Sequence, residues 1–345
     1  MVLLLAASYF APYVKPSFFW WPTLLGLAYP YLLFLNVVFV FIWTLFYWRY
    51  LFLSLICIGA GVKVHNHFFQ FSGIETNSKE GIKVLSFNVK HFYSYLEDKN
   101  KDDNVLDFIA RQNANIICLQ ETKLQKKGAL NPLKLKAHFP GIVHCQLAHQ
   151  GAWSGPVTFT SYPIVAMGEI RFENSNNMVI YTDVRTEEDT IRVYNCHLQS
   201  YGIQPEEYSV IDTLGFQNKK LHEMRLIGGK LRNAFKIRSE QVAQLKEHIG
   251  ACPYPVIVCG DFNDIPISYT YHTLRTNLHD AFVESGKGIS NTYRGKLPSY
   301  RIDYILYSDE FMAYNYKRMK VDYSDHFPIS TLLVRSKLSP LETQP

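Results

Sequence analysis

Apolar residues run almost unbroken through the first 70 positions, then give way to short apolar runs separated by polar punctuation. Thr23 to Phe46 is a stretch of 24 residues without a charge, longer than the roughly 20 that an α-helix needs to cross a bilayer's hydrocarbon core. It reads as a transmembrane helix. Tyr50 to Val62 is apolar over only 13 residues and reads as a second span that must borrow its flanks or thin the bilayer. Val2 to Val14 is short as well, either a signal-like stretch or a third span. Trp20, Trp21, Trp43, Tyr47 and Trp48 fall where these spans end, as amphipathic rings do at the headgroup level. Residues 1–70 are thus expected to form a membrane anchor of two or three helices, making the protein multi-pass. Arg49, in the turn between the two better spans, favours a cytoplasmic turn and an extracytoplasmic remainder.

After a linker at 71–80 the pattern changes. "IKVLSFNV" (82–89), "NIICLQE" (115–121), "GPVTFTSYPI" (155–164), "MVIYTDV" (178–184), "IRVYNCHL" (191–198), "PVIVCGDF" (255–262), "RIDYILYS" (301–308) and "ISTLLV" (329–334) read as strands. Several are too continuously apolar to have a wet face, which is the signature of strands covered on both sides. Helices are expected over 102–113 and, longer, between Leu221 and Ile249, the second interrupted at Gly228 and Gly229. The economical arrangement is α/β layering over 81–335, followed by a tail at 336–345.

Composition adjusts this picture in one respect. The first 70 residues carry three basic residues (Lys15, Arg49, Lys63) and no acid, so the formal charge of +5 leaves 32 basic and 30 acidic residues for the rest. A nearly neutral domain argues against a dedicated binder of nucleic-acid backbone. The cysteines sit mostly in strand-like apolar runs, where they behave as small core hydrophobes, and no CxxC marks a zinc site.

Strand after strand ends in a group fit for metal or phosphate chemistry: Asn88, Glu121, Asn195 and His197, Asp261 and Asn263, Asp303, then Asp325 and His326. One strand-end Asp or Asn is usually a turn residue. Their recurrence after so many rigid apolar runs outweighs that reading. Asp264 reads as a cap for a helix beginning near Ser268, or as a ligand.

The ordered series "LSFNV", "LQET", "SGPVTFTSYPI", "NCHL", "GDFND", "RIDYIL" and "SDHFPI" resembles the endonuclease/exonuclease/phosphatase superfamily from Gly81 to about Val334. The resemblance implies a four-layer α/β sandwich, two β-sheets face to face with helices outside, and a Mg²⁺-dependent phosphoesterase site, with Mn²⁺ able to replace Mg²⁺. It implies Glu121, Asn88 and Asp325 as metal ligands, Asp261 as the residue that orients or deprotonates water, and Asn263 as a phosphate donor. His326 would stabilise the transition state with Asp303 fixing its tautomer, His197 would serve the leaving group, and Asn195 would position phosphate. The division of base and acid among Asp261, His197 and His326 stays open. Lys90 stands where the abasic-site endonuclease branch has an acid, while the histidine of "NCHL" looks more like the secreted deoxyribonuclease and sphingomyelinase branches.

The expected function is membrane-anchored phosphodiester hydrolysis of the nuclease type, with cleavage of a phospholipid or sphingolipid headgroup as the alternative. The expected partners are the phosphoester and the bilayer, with no protein partner. A catalytically dead binding module would be marked by loss of Glu121, Asp261, Asn263 or His326, and all four are present. Lys219 to Arg238 carries seven basic residues against one acid, read either as the solvated face of an outer helix or as a basic amphipathic surface for an anionic partner.

Overall fold

The computed structural model describes residues 1–78, 80–97, 104–148, 154–203, 207, 218–295 and 299–336. Two six-stranded sheets lie face to face. The first runs, edge to edge, Phe311–Arg318, Ile329–Arg335, Ile82–Asn88, Ile116–Lys123, Ser154–Thr160 and His144–Leu147. The second runs His279–Asp280, Asp303–Tyr307, Val256–Asp261, Thr190–His197, Met178–Arg185 and Ile164–Arg171. Each sheet has one parallel pair near its middle, Ile82–Asn88 beside Ile116–Lys123 and Thr190–His197 beside Val256–Asp261. These are the strands with the most continuous apolar runs, because both of their faces are covered.

Three apolar layers account for the sandwich. Val84, Ile116, Cys118, Val193, Ile257 and Ile305 interdigitate between the sheets. Leu85, Phe87, Ile117 and Leu119 point the other way, onto the helices Val105–Arg111 and Pro132–His138. Tyr194, Cys196, Val258 and Leu306 point outward from the second sheet onto Val242 and Leu245 of helix Asn218–Gly250 and onto Tyr271 and Leu274 of helix Tyr269–Arg275. The four-layer α/β sandwich expected from the sequence is the observed fold.

Several elements depart from the sequence reading. "GPVTFTSYPI" is not one strand: the chain leaves the first sheet at Thr160 and enters the second at Ile164, with Pro163 in the crossing. Asn218–Gly250 passes through Gly228 and Gly229 without a break. Among the six cysteines none is paired. Residues 337–345, most of the expected tail, lie outside the described residues.

The anchor also differs. Trp21–Phe46 is the one described helix long and apolar enough to cross a bilayer, and Val2–Ser8 and Leu51–Ala60 are too short. Ten residues at 1.5 Å each make about 15 Å, half the hydrocarbon thickness, so the multi-pass arrangement is not supported. The base of these helices packs on the sandwich. Leu5, Tyr29, Leu32 and Cys57 form a cluster with Ile265, Ile267 and Ile302. Gly26 makes the close approach: a Cβ there would sit 3.3 Å from the Ile267 carbonyl oxygen. The Tyr300 hydroxyl donates to the Leu27 carbonyl at 2.8 Å, and Arg301 donates to the His67 carbonyl at 2.8 Å.

Candidate active site

Strand register builds half of the site. His197 pairs with Asp261 on one side, and Asp303 pairs with Asp261 on the other, so three adjacent strands present His197, Asp261 and Asp303 in one row. Gly260 lets the two parallel strands close: at φ 134° it occupies backbone space that a side chain avoids, and a Cβ would collide with the Cys196 carbonyl. His326 enters the row from the chain preceding Ile329–Arg335. Its Nδ1 lies 3.0 Å from Asp303 Oδ2, and its Nε2 lies 3.7 Å from Asp261 Oδ2. The Asp261 carboxylate is held from two further directions. Asn263 N–H donates to Oδ1 at 2.8 Å, and Asn88 Nδ2 donates to Oδ2 at 3.0 Å.

The first sheet supplies the other half. Asn88 Nδ2 also donates to Glu121 Oε1 at 3.1 Å, so one amide bridges two carboxylates from different sheets. His197 Nε2 is 3.4 Å from Glu121 Oε1, and His91 Nε2 is 3.7 Å from Glu121 Oε2. Glu121 sits at φ 50°, at a register shift between its strand and Ser154–Thr160. Asn263 lies at φ 53°, and Lys90, His91 and Phe92 follow Asn88 at φ 44°, 58° and 57°. Left-handed backbone at non-glycine residues costs on the order of 1–3 kcal/mol each and persists where the surroundings impose it. Here it re-aims Glu121 and His91 toward the same point.

A family model described as the endonuclease/exonuclease/phosphatase family matches residues 85–326, a span holding every residue of this cluster. The chain belongs to the endonuclease/exonuclease/phosphatase family. Residues 1–68 match a model described only as a domain of unknown function. Among curated proteins none matches. Solved structures agree on the fold. The human Nocturnin catalytic domain with bound sulfate superposes with TM-score 0.54 at 18% identity, covering 77% of this chain and 97% of that one. A member of the family from Beutenbergia cavernae DSM 12333 gives 0.51 at 17%, covering 74% and 72%. One from Bacteroides vulgatus gives 0.51 at 16%, covering 75% and 100%.

Family members hydrolyse phosphoester bonds and generally depend on divalent metal, and the electrostatics here fit such an ion. Glu121, Asp261 and Asp303 converge around His197, His326 and the Asn88 amide, and ligand atoms of Glu121, His197 and Asp261 lie within 4.8 Å of one another. Burial opposes ionisation of Glu121, but His197 and Asn88 overcome it and hold its pKa down to about 2. Burial raises Asp261, with Asp303 adding to it and His326 opposing, to about 6. His326 is the converse: burial works against its charge, yet Asp303 and Asp261 raise it to about 10. His197 is raised too, against its burial, by Glu121.

These shifts predict a pH effect on stability. A histidine whose folded pKa exceeds its ordinary 6.5 contributes stability that is complete below about 6.5 and is lost as pH rises toward about 10. The melting temperature of the metal-free protein is expected to fall across that window, and His326→Gln to flatten the fall. An unchanged slope in the variant would remove the buried imidazolium from the account.

Of the nine residues singled out in the sequence, Asp261, Asn263, His197, His326, Asp303, Glu121 and Asn88 meet in this cluster. Asp325 borders it, its carboxylate held 2.9 Å from Lys90 Nζ. Asn195 is not brought to the site. It is fully buried between the sheets, its amide donating to the Leu119 and Val157 carbonyls and accepting from Gln120 Nε2 at 2.8 Å. Its position at the end of an apolar strand reflects a tie between sheets. Asn88 faces both carboxylates with its nitrogen, while its oxygen accepts from Lys90 N–H. Asp264 is not the cap: Ser268 caps the helix, and Asp264 pairs with buried Arg238 at 3.1 Å. His91 escaped the sequence reading, since nothing in "VKHF" announces a turn that bends it back onto Glu121.

Proposed function

We propose that the protein is a divalent-metal-dependent phosphodiester hydrolase, using Mg²⁺ or Mn²⁺ in its place, in which water attacks phosphorus in line. The observation that carries this reading is the Asp261–His326–Asp303 row set against Glu121 and His197. Glu121, with Asp325 at the border and Asn88 orienting the carboxylate, would hold the metal. When bound, the ion would withdraw charge from a nonbridging phosphate oxygen.

The protein groups do the rest. Asp261, ionised at neutral pH and fixed by two donors, takes the proton of the attacking water. His326 is held as a cation and donates to the phosphoryl oxygen that gains charge. Asn263 donates one amide hydrogen to the Leu198 carbonyl at 2.9 Å, leaving the second for phosphate. His197 is placed to protonate the departing oxygen. Nuclease-type hydrolysis and headgroup cleavage both present the same phosphodiester to these residues. The Trp21–Phe46 helix is the membrane attachment.

The test is hydrolysis of bis(p-nitrophenyl) phosphate by the full-length protein. Activity is expected with Mg²⁺ or Mn²⁺, complete loss in EDTA, and recovery when the ion is restored. Turnover that survives EDTA would remove the mechanism.

A further inference from the structure

Two features outside the catalytic chemistry belong to one region of the molecule. The first is an apolar projection. Beyond the docked base, the Trp21–Phe46 and Leu51–Ala60 helices extend from the sandwich with large side chains facing outward: Phe34 is 65% exposed, Phe41 66%, Leu45 76% and Ile56 69%. A contiguous apolar surface of this kind on a water-soluble face is an interaction site or a liability. Its turn carries Tyr47, Trp48 and Tyr50, residues suited to an interface, and Arg49, whose stem can snorkel. From Leu33 to Phe46 the projection measures about 21 Å at 1.5 Å per residue. Both of its ends return to the same side, where Gly26 and His67 touch the sandwich.

The second feature is where it is rooted. The cluster that receives the helices is built from Ile265 and Ile267, just after Asp261 and Asn263, and from Ile302, next to Asp303. Tyr293 joins the two regions. Its ring packs against that cluster and stands edge-on to the His326 imidazole, 5.4 Å between centroids. Tyr293 and His326 also form a β-bridge. The projection therefore grows from the catalytic end of the sandwich. Helix Asn218–Gly250 is joined to the N-terminal segment by the Lys15–Glu240 pair at 2.9 Å.

We propose that the projection inserts into a bilayer from one side, that its base sets the catalytic end against the membrane surface, and that the substrate is a phospholipid headgroup. Insertion covers apolar side chains that the protein leaves largely exposed. The near-neutral charge of the chain after residue 70 gives little general attraction to a nucleic-acid backbone. Resting on the hydrolase reading above, the reaction adds water to the headgroup phosphorus. The phosphorus–oxygen bond to diacylglycerol breaks, the glycerol oxygen takes the proton, and a water-soluble phosphomonoester leaves.

The experiment uses the full-length protein with vesicles of phosphatidylcholine, phosphatidylethanolamine and phosphatidylglycerol, with linear DNA and bis(p-nitrophenyl) phosphate in parallel. Expected results are flotation with the vesicles and Mg²⁺-dependent release of phosphomonoester, with DNA cleaved at least about tenfold more slowly. Phe41→Asp and Ile56→Asp, both on the projection and away from the site, should lose flotation and cut lipid hydrolysis at least about tenfold, leaving bis(p-nitrophenyl) phosphate turnover unchanged. If bis(p-nitrophenyl) phosphate is cleaved but no vesicle lipid is, or if neither variant alters lipid hydrolysis, the inference falls and the hydrolase reading stands. If no substrate is cleaved in a metal-dependent way, the hydrolase reading itself falls.

Discussion

Asp261→Ala is expected to reduce turnover at least about a hundredfold, the lower end of what a positioned acid–base group contributes. The carboxylate belongs to a buried strand paired on both sides, so its position is set by the sheet and not by a mobile loop. Each oxygen already has a defined neighbour: Oδ1 accepts from Asn263 N–H, and Oδ2 lies between Asn88 and His326. A pKa of about 6 leaves the group largely ionised at neutral pH, yet close enough to that pH to accept a proton in the transition state. His326→Ala should cost a similar factor for a different reason, since it removes the cation that faces developing phosphoryl charge. His326→Ala also leaves Asp261 and Asp303 repelling each other without a counterion, so its circular dichroism and melting curve must be compared with those of Asp261→Ala. Near-normal turnover in a folded Asp261→Ala variant would end the proposed role.

Most of the strands and the polar groups that end them were legible because the same physics produces both signals, whereas the four-layer arrangement and the residue roles came from the resemblance to the family. A strand buried on two faces must be continuously apolar, and a chemical group at its end must be polar, so "PVIVCGDFND" announces a core strand and a site together. The unreadable parts were set by tertiary context. Whether "GPVTFTSYPI" is one strand or two depends on the sheet that receives Ile164, which no local pattern specifies. Asn195 has the same local signature as Asn263, and only the neighbouring sheet decides that one is a tie and the other lies at the site. His91 depends on three successive left-handed residues, which "KHF" gives no reason to expect. The N-terminal helices look like an independent anchor by hydropathy. Their contact with Ile265, Ile267 and Ile302 comes from small residues such as Gly26, whose role appears only when the two units meet.

Glu121→Gln should separate metal binding from the rest of the chemistry. Glutamine has nearly the same shape as glutamate and can still accept from Asn88, so the fold around residue 121 is expected to persist while the charge is gone. In the wild type the carboxylate stays ionised because His197 and Asn88 support it, and a hard divalent ion would find there its strongest oxygen ligand. A ligand that binds only the folded state stabilises it by about 2.7 kcal/mol at a concentration a hundred times its dissociation constant. The wild-type melting temperature should therefore climb as Mg²⁺ or Mn²⁺ is added, and the Glu121→Gln curve should stay nearly flat. Mn²⁺ affinity by isothermal titration calorimetry should fall at least about tenfold, and turnover at least about a hundredfold. Asp325→Asn gives the contrast, because Asp325 already has Lys90 as a counterion at 2.9 Å and its loss should weaken Mn²⁺ binding less. If Glu121→Gln kept the metal-induced rise in melting temperature, the ion would have to be held elsewhere. The Asp261 and Asp303 carboxylates around His326 would then be the next ligands to test, and the assignment of Asp261 as base would have to be abandoned with it.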